Sequence, residues 1–162
     1  MIKEVVGDLL NYDADVICHQ ANFYGVMGGG VARAIWDKLL DDDSRYAYQS
    51  RCCKYGRDLL STVQYLPVTR KTDGKGIIVA NLFCQDDEQQ SDGGITRYDC
   101  MRRCLEQVER EAKLYGKTVA LPGHMGCGIA GGRWDVAREV IEDAFGKSSV
   151  SCTIVYLGRA RC

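Results

Sequence analysis

The sequence predicts an α/β sandwich built on a largely parallel sheet. Three observations carry that prediction: six short runs rich in Val and Ile, four longer stretches with helical spacing, and the alternation of the two. The strand-like runs are 2–6, 16–20, 62–67, 77–83, 118–121 and 152–157. Several are apolar on both faces, as in a sheet buried on both sides. The first helical stretch, 31–40, follows a glycine run. The second, 45–55, carries regularly spaced Tyr and Cys. The third, 97–115, places Tyr98, Met101, Leu105 and Val108 near helical spacing and stops at Gly116. The fourth, 134–145, repeats Val136, Val140, Ile141 and Phe145 and stops at Gly146. The two prolines, Pro67 and Pro122, are each read as closing a strand.

The chain has 162 residues, a length for one domain spanning 1–162, and 46% apolar residues to fill its core. A net charge of -1 argues against a protein that coats nucleic acid, which needs a basic excess. The first ten residues run straight into a strand-like segment without the pattern of a signal peptide. No segment approaches the ~18–20 apolar residues of a membrane span. These features predict a soluble, cytoplasmic protein without a membrane partner. Nine cysteines, an odd number scattered through apolar runs, read as reduced core thiols. No paired C-x-x-C ligands are present, so no metal is expected. No cofactor is implied either.

Two segments share the design strand, glycine-rich turn, helix. In the first, 16–20 leads through 22–30 to the helix from Val31. In the second, 118–122 leads through 123–132 to the helix from Arg133. In a parallel sheet both turns fall at the carboxyl edge, where ligands bind. Glycine lets the backbone approach a ligand closely, and a helix N-terminus adds unpaired N–H donors and the positive end of its dipole. Two such turns suit a diphosphate, or a phosphate next to a sugar. A tight turn and close helix packing also use glycine, but two runs at equivalent positions weaken that explanation. The stretch from Gly126 to Gly131 matches G-x-G-x-x-G, yet it lies late in the chain. The strand after it is followed by Gly158 and Arg159, not by the acid of a dinucleotide fold. No Gly-Lys-Ser/Thr follows either glycine run, so a P-loop fails too.

Other candidates are sparser. Asp8, just past the first strand, can accept a hydrogen bond from an adenine amino group, or simply cap a turn. His19 and His124, the two histidines, both stand beside the glycine turns, either as acid–base groups or as hydrogen-bonded structural residues. Cys127 lies among backbone donors that could depress a thiol pKa, but no base partner is identifiable. The polar stretch 86–94 reads as a mobile surface loop or a solvated connection.

These residues resemble a macrodomain. Gly7-Asp8-Leu9, the segment DVICHQAN from Asp15 and VMGGGVARA from Val26 are similar to the first half of that family. LPGHMGCGIAGGRWD from Leu121 resembles its second phosphate loop. ANLFCQ from Ala80 and TRYD from Thr96 resemble a middle segment of small stand-alone bacterial and phage macrodomains. That group is similar to ADP-ribose-1″-phosphate phosphatases and terminal ADP-ribose glycohydrolases. The resemblance runs from about residue 2 to residue 157. It implies a three-layer α/β/α sandwich around a six-stranded mixed sheet, and ADP-ribose or an ADP-ribosylated molecule as the partner. By the same resemblance Asp8 and the Leu9 N–H would meet the adenine. Asn22 would bind the distal ribose. Gly28, Gly29, Gly30 and Val31 would line that ribose and its phosphate. Gly126, Cys127, Gly128, Ile129 and Ala130 would wrap the diphosphate, and Tyr156 or Leu157 would pack on the adenine.

The resemblance is weaker over catalysis. One hydrolytic class has an Asp where this chain has Ala32. The poly-ADP-ribose glycohydrolases have a Glu pair after their glycines, but the first acid here is Asp37. The terminal glycohydrolases use a Lys in the middle segment and an Asp in the second loop. Here 81–92 contains no Lys, and the loop position is Ala130. His19 remains, similar to the histidine before the ribose-binding Asn of the phosphatase-like group. It would orient or protonate the group leaving the distal ribose, and one acid–base group contributes about 10²–10⁴ in rate. Two functions follow: a hydrolase acting at the distal ribose, or a reader that binds ADP-ribose without chemistry.

Overall fold

Each strand and helix expected above forms within a few residues of its predicted place. The computed structural model describes residues 1–158. Arg159 and the ninth cysteine, Cys162, lie outside them. One sheet holds β1 (Ile2–Val6), β2 (Val16–Ala21), β3 (Val63–Thr69), β4 (Gly76–Phe83), β5 (Val119–Pro122) and β6 (Cys152–Tyr156), in the spatial order β1-β6-β5-β2-β4-β3. Every neighbouring pair is parallel except β3 with β4. The short link between those two strands permits only a hairpin, because a parallel return needs a long crossover.

Helices cover both faces of the sheet. On one side lie α3 (Tyr98–Tyr115) and α4 (Trp134–Phe145), whose Met101, Leu105, Ile141 and Phe145 pack on Cys18, Leu121 and Ile154. On the other lie α1 (Gly30–Lys38) and α2 (Asp42–Tyr55), whose Ile35, Leu39, Tyr48 and Cys52 pack on Ile17, Val79, Phe83 and Ala120. Burial of one such Leu or Ile side chain contributes about 1.5–3 kcal/mol. The central strands β2, β5 and β6 are buried almost throughout, which is why β5 and β6 read as nearly continuous apolar runs.

Two boundaries moved, each for a local reason. Helix α2 starts at Asp42, earlier than Arg45, because Asp41 and Ser44 form a reciprocal cap in which the Ser44 N–H donates to Asp41 Oδ1 at 2.8 Å. Strand β3 runs on through Pro67 to Thr69. It is an edge strand, where a residue lacking an N–H is tolerated, so Pro67 does not close it. Pro122 does end β5. Among the described residues Cys18, Cys52, Cys84, Cys100, Cys104 and Cys152 are buried free thiols, Cys53 is exposed and Cys127 is half-buried. No described helix is long and apolar enough to cross a membrane.

Candidate functional site

Strands β2 and β5 run side by side in parallel, with Val16 opposite Val119 and Ile17 opposite Ala120. Both glycine turns therefore leave the same edge of the sheet and face one another. Between them lies a cleft of about 280 Å³, lined by His19, Gly29, Ala32, Gln85, His124 and Ile129 among others. Among the described residues, no lysine, arginine or carboxylate is in its lining. Any anion there would be held by backbone donors and helix dipoles.

The first turn ends with Gly29 as the N-cap of α1, so the first N–H groups of that helix open on the cleft without intrahelical partners. Gly30 sits at φ +58, a conformation that side chains disfavour. A Cβ on Gly29 would lie 2.5 Å from Ile129 Cδ1, so the two turns touch through the otherwise exposed Ile129. The second turn is folded by its own backbone: Cys127 N–H donates to His124 O, Gly131 N–H to Gly128 O and Gly132 N–H to Gly126 O. His124 holds φ +61, a costly left-handed position for a non-glycine residue. Its ring lies 5.2 Å from Trp134 and 5.5 Å from Tyr156.

The stretch 84–98 props the second turn from outside. Ile95 N–H donates to Ala130 O at 2.8 Å. Gln20 Nε2 donates to the Thr96 hydroxyl at 3.0 Å, which donates to Gly126 O at 2.7 Å. The Tyr98 hydroxyl accepts from the Arg133 N–H at 2.7 Å and donates to Asp92. The stretch 86–94, read as a mobile loop or a solvated connection, is exposed over most of its length and anchored at its start. Asp86 is buried and paired with Arg57, and Tyr24 donates to Asp87 at 2.7 Å. Burial alone would raise the Asp86 carboxyl, but the hydrogen bonds from Arg57 and the main-chain N–H groups of 87 and 88 hold it well below the usual range. Sequence reading had no signal for this anchor, because a buried Asp in DDEQQ looks like its solvated neighbours.

His19 is buried in the wall of the cleft. Its Nε2 lies 2.6 Å from Asn81 Oδ1, and Nδ1 makes no hydrogen bond of acceptable geometry. Burial pushes its pKa down to about 4, against smaller raising effects from Asn81 and the Gln20 backbone. A ring held neutral near pH 7 is suited to accepting a hydrogen bond or orienting a group.

The remaining candidates divide. Gly29, Gly30, Val31, Gly126, Gly128, Ile129 and Ala130 line the cleft, and Cys127 belongs to the same turn. Gly28 stands just before them, beside Val26. Asn22 is turned to its own loop: it donates to Val26 O at 2.7 Å and accepts from the Tyr24 N–H and the Tyr48 hydroxyl. Asp8 caps the short 3-10 turn that begins at Leu9, accepting from the Leu10 N–H at 3.1 Å and from Asn11. It remains exposed at the same carboxyl edge. Tyr156 is not in the cleft. It is buried beneath Gly123, with its hydroxyl 2.9 Å from Glu4, while Leu157 is exposed. Gln85, whose part the sequence left open, lines the cleft.

No family model matches the sequence. An uncharacterized protein of Aquifex aeolicus is 31% identical over 151 residues, covering 93% of this chain and 84% of its own. Among solved structures, a protein of unknown function from Bacteroides thetaiotaomicron superposes with a TM-score of 0.78 at 26% identity, over 97% of this chain and 98% of its own. The macrodomain of Thermus aquaticus DarG superposes at 0.74 and 21% identity, over 96% and 97%. Thermosipho africanus DarTG, solved in complex with ADP-ribose, superposes at 0.74 and 17% identity, over 99% of this chain and 43% of its own. The six-stranded mixed sheet, the paired turns at its carboxyl edge and this set of fold relatives agree: the chain has the macrodomain fold.

Proposed function

We propose that the cleft binds ADP-ribose, or an ADP-ribosylated molecule, and that the protein hydrolyses such ligands at the distal ribose. The observation that carries this reading is the facing pair of glycine turns, with α1 opening its unpaired N–H groups onto a cleft lined, among the described residues, by no lysine, arginine or carboxylate. Backbone donors of this kind suit a diphosphate. From Asp8 at the end of β1, across β6 and β5, to the turn after β2, the edge spans three strand spacings, roughly 14 Å. An extended nucleotide laid along it would put its base near Asp8 and its far sugar near His19. The solved DarTG complex with ADP-ribose, on the same fold, supports that choice of ligand.

A second reading, binding without chemistry, is favoured by the lining itself. Ala32 and Ala130 stand where carboxylates would be needed by the resemblance, and a neutral His19 is not the imidazolium that a general acid requires. Titration calorimetry with ADP-ribose tests the shared claim, with AMP and NAD as comparators. Micromolar binding, about -8 kcal/mol, supports it, and no heat at millimolar ligand removes it. The two readings then part on His19→Ala: lost turnover with retained affinity marks the hydrolase, whereas a wild type that binds but turns over no ADP-ribosylated substrate marks the reader.

A further inference from the structure

His19, Asn81 and Gln64 stand opposite one another in the register of β2, β4 and β3. All three are buried. Their neighbours along the strands include Ile17, Val79 and Leu66, so this polar row crosses an otherwise apolar core and each of its groups needs a partner. Read from its far end, the row has only one arrangement of protons. The Ala47 main-chain oxygen can only accept, so Gln64 donates to it through Nε2 at 3.2 Å. Gln64 Oε1 is then left to accept from Asn81 Nδ2 at 3.1 Å. Asn81 therefore presents Oδ1 to His19, and the proton in that 2.6 Å contact belongs to His19 Nε2. The neutral ring keeps its lone pair on Nδ1, a buried acceptor without a hydrogen bond on a residue of the cleft wall.

We propose that His19 acts as a fixed hydrogen-bond acceptor, whose Nδ1 receives a distal-ribose hydroxyl or the attacking water, and that Asn81 and Gln64 are positioning residues holding the ring in that tautomer. The proposal rests on the reading of the cleft as an ADP-ribose site. It gives the amides of Asn81 and Gln64, which touch no ligand, a task that packing alone does not: setting which nitrogen of the histidine is available. A buried neutral ring suits this task, because an acceptor must not be protonated at working pH.

Nitrogen-15 NMR of the labelled protein reads the tautomer directly, and with two histidines in the chain His124→Gln assigns the spectrum. The expected wild-type ring carries its proton on Nε2 and a bare Nδ1, unchanged from pH 8 to pH 5.5. Saturating ADP-ribose then shifts Nδ1 toward its hydrogen-bonded position and leaves Nε2 in place. Gln64→Leu frees Asn81 to turn, giving mixed tautomers and a kcat lowered about tenfold or more with little change in KM. Gln64→Glu, which in its protonated form donates to Ala47 O and accepts from Asn81, restores the single tautomer. The proposal is overturned by an Nδ1–H ring in the wild type, by bound ADP-ribose that leaves Nδ1 unmoved, or by Gln64→Leu with native tautomer and native kcat. The two readings fail separately. Absent ADP-ribose binding with an Nε2–H ring would sink the cleft reading and leave the polarity of the row standing. An Nδ1–H ring in a protein that binds ADP-ribose would sink the positioning role alone.

Discussion

His19 and Asn81 are direct partners in the parallel register of β2 and β4, and their side chains meet at 2.6 Å inside the protein. The contact ties a residue of the cleft wall to the interior of the sheet. Burial of the ring, which outweighs the raising effect of that contact, gives the protein a sensitivity to acid.

That sensitivity has a definite sign. The folded His19 has a pKa of about 4, below the 6.5 of an unperturbed histidine. Between those values the unfolded chain binds a proton that the native one does not, so stability is full above pH ~6.5 and falls as pH drops toward 4. At about 1.4 kcal/mol per pH unit the loss approaches about 3 kcal/mol. Asp73, held at about 2 chiefly by its hydrogen bond from Arg70, adds its own loss only below pH ~4. Urea unfolding at pH 7 and pH 4.5 checks this: wild type should lose stability over that interval, and His19→Gln should lose distinctly less.

Gly94 tests whether the second turn depends on the segment behind it. A Cβ there would lie 2.6 Å from Gly131 O and 2.7 Å from Ala130 O, backbone atoms that cannot swing away. Gly94→Ala should displace the turn and weaken ADP-ribose binding about tenfold or more, since a shift of ~1 Å is enough to spoil such geometry. Gly76→Ala, where the new methyl meets nothing within 4 Å, is the control and should bind normally. Equal affinities for the two variants in calorimetry would show that 84–98 does not hold the turn.

Asp86 should behave as an anchor, unlike its neighbours in the sequence. It accepts from Arg57 and from the Asp87 N–H, the latter at 2.7 Å. Asp86→Ala is expected to cost about 2 kcal/mol, the range of hydrogen bonds to a charged group, with Arg57 half-exposed and its share partly screened. Hydrogen exchange should rise across 86–95 while α3 stays protected. Glu88→Ala, at an exposed side chain, should do neither.

Thiol labelling under native conditions, read residue by residue by mass spectrometry, reports on the cleft without an activity assay. Cys53 and Cys127 should react, and the six buried cysteines should wait for denaturant. Because Cys127 belongs to the second turn, saturating ADP-ribose should slow it about tenfold and leave Cys53 unchanged. Unaltered labelling of Cys127 in a protein that binds ADP-ribose would place the ligand elsewhere.

The amino-acid sequence alone determined the layers of this protein and the location of its two turns. Val and Ile runs buried on both faces, helices ending at Gly116 and Gly146, and glycines between strand and helix are local patterns with local causes, so they are legible in one dimension. Tertiary structure alone decided what those turns enclose. The pairing of β2 with β5 set them face to face, although about 100 residues separate them in the chain. The alignment of β2, β4 and β3 joined His19 to Asn81 and Gln64, contacts that the spacing of residues does not reveal. Folding also buried Asp86 against Arg57, turned Asn22 to its own loop and drew Tyr156 under Gly123. Partners of this kind are brought together by strand register and by desolvation, neither of which is written in the spacing of residues along the chain.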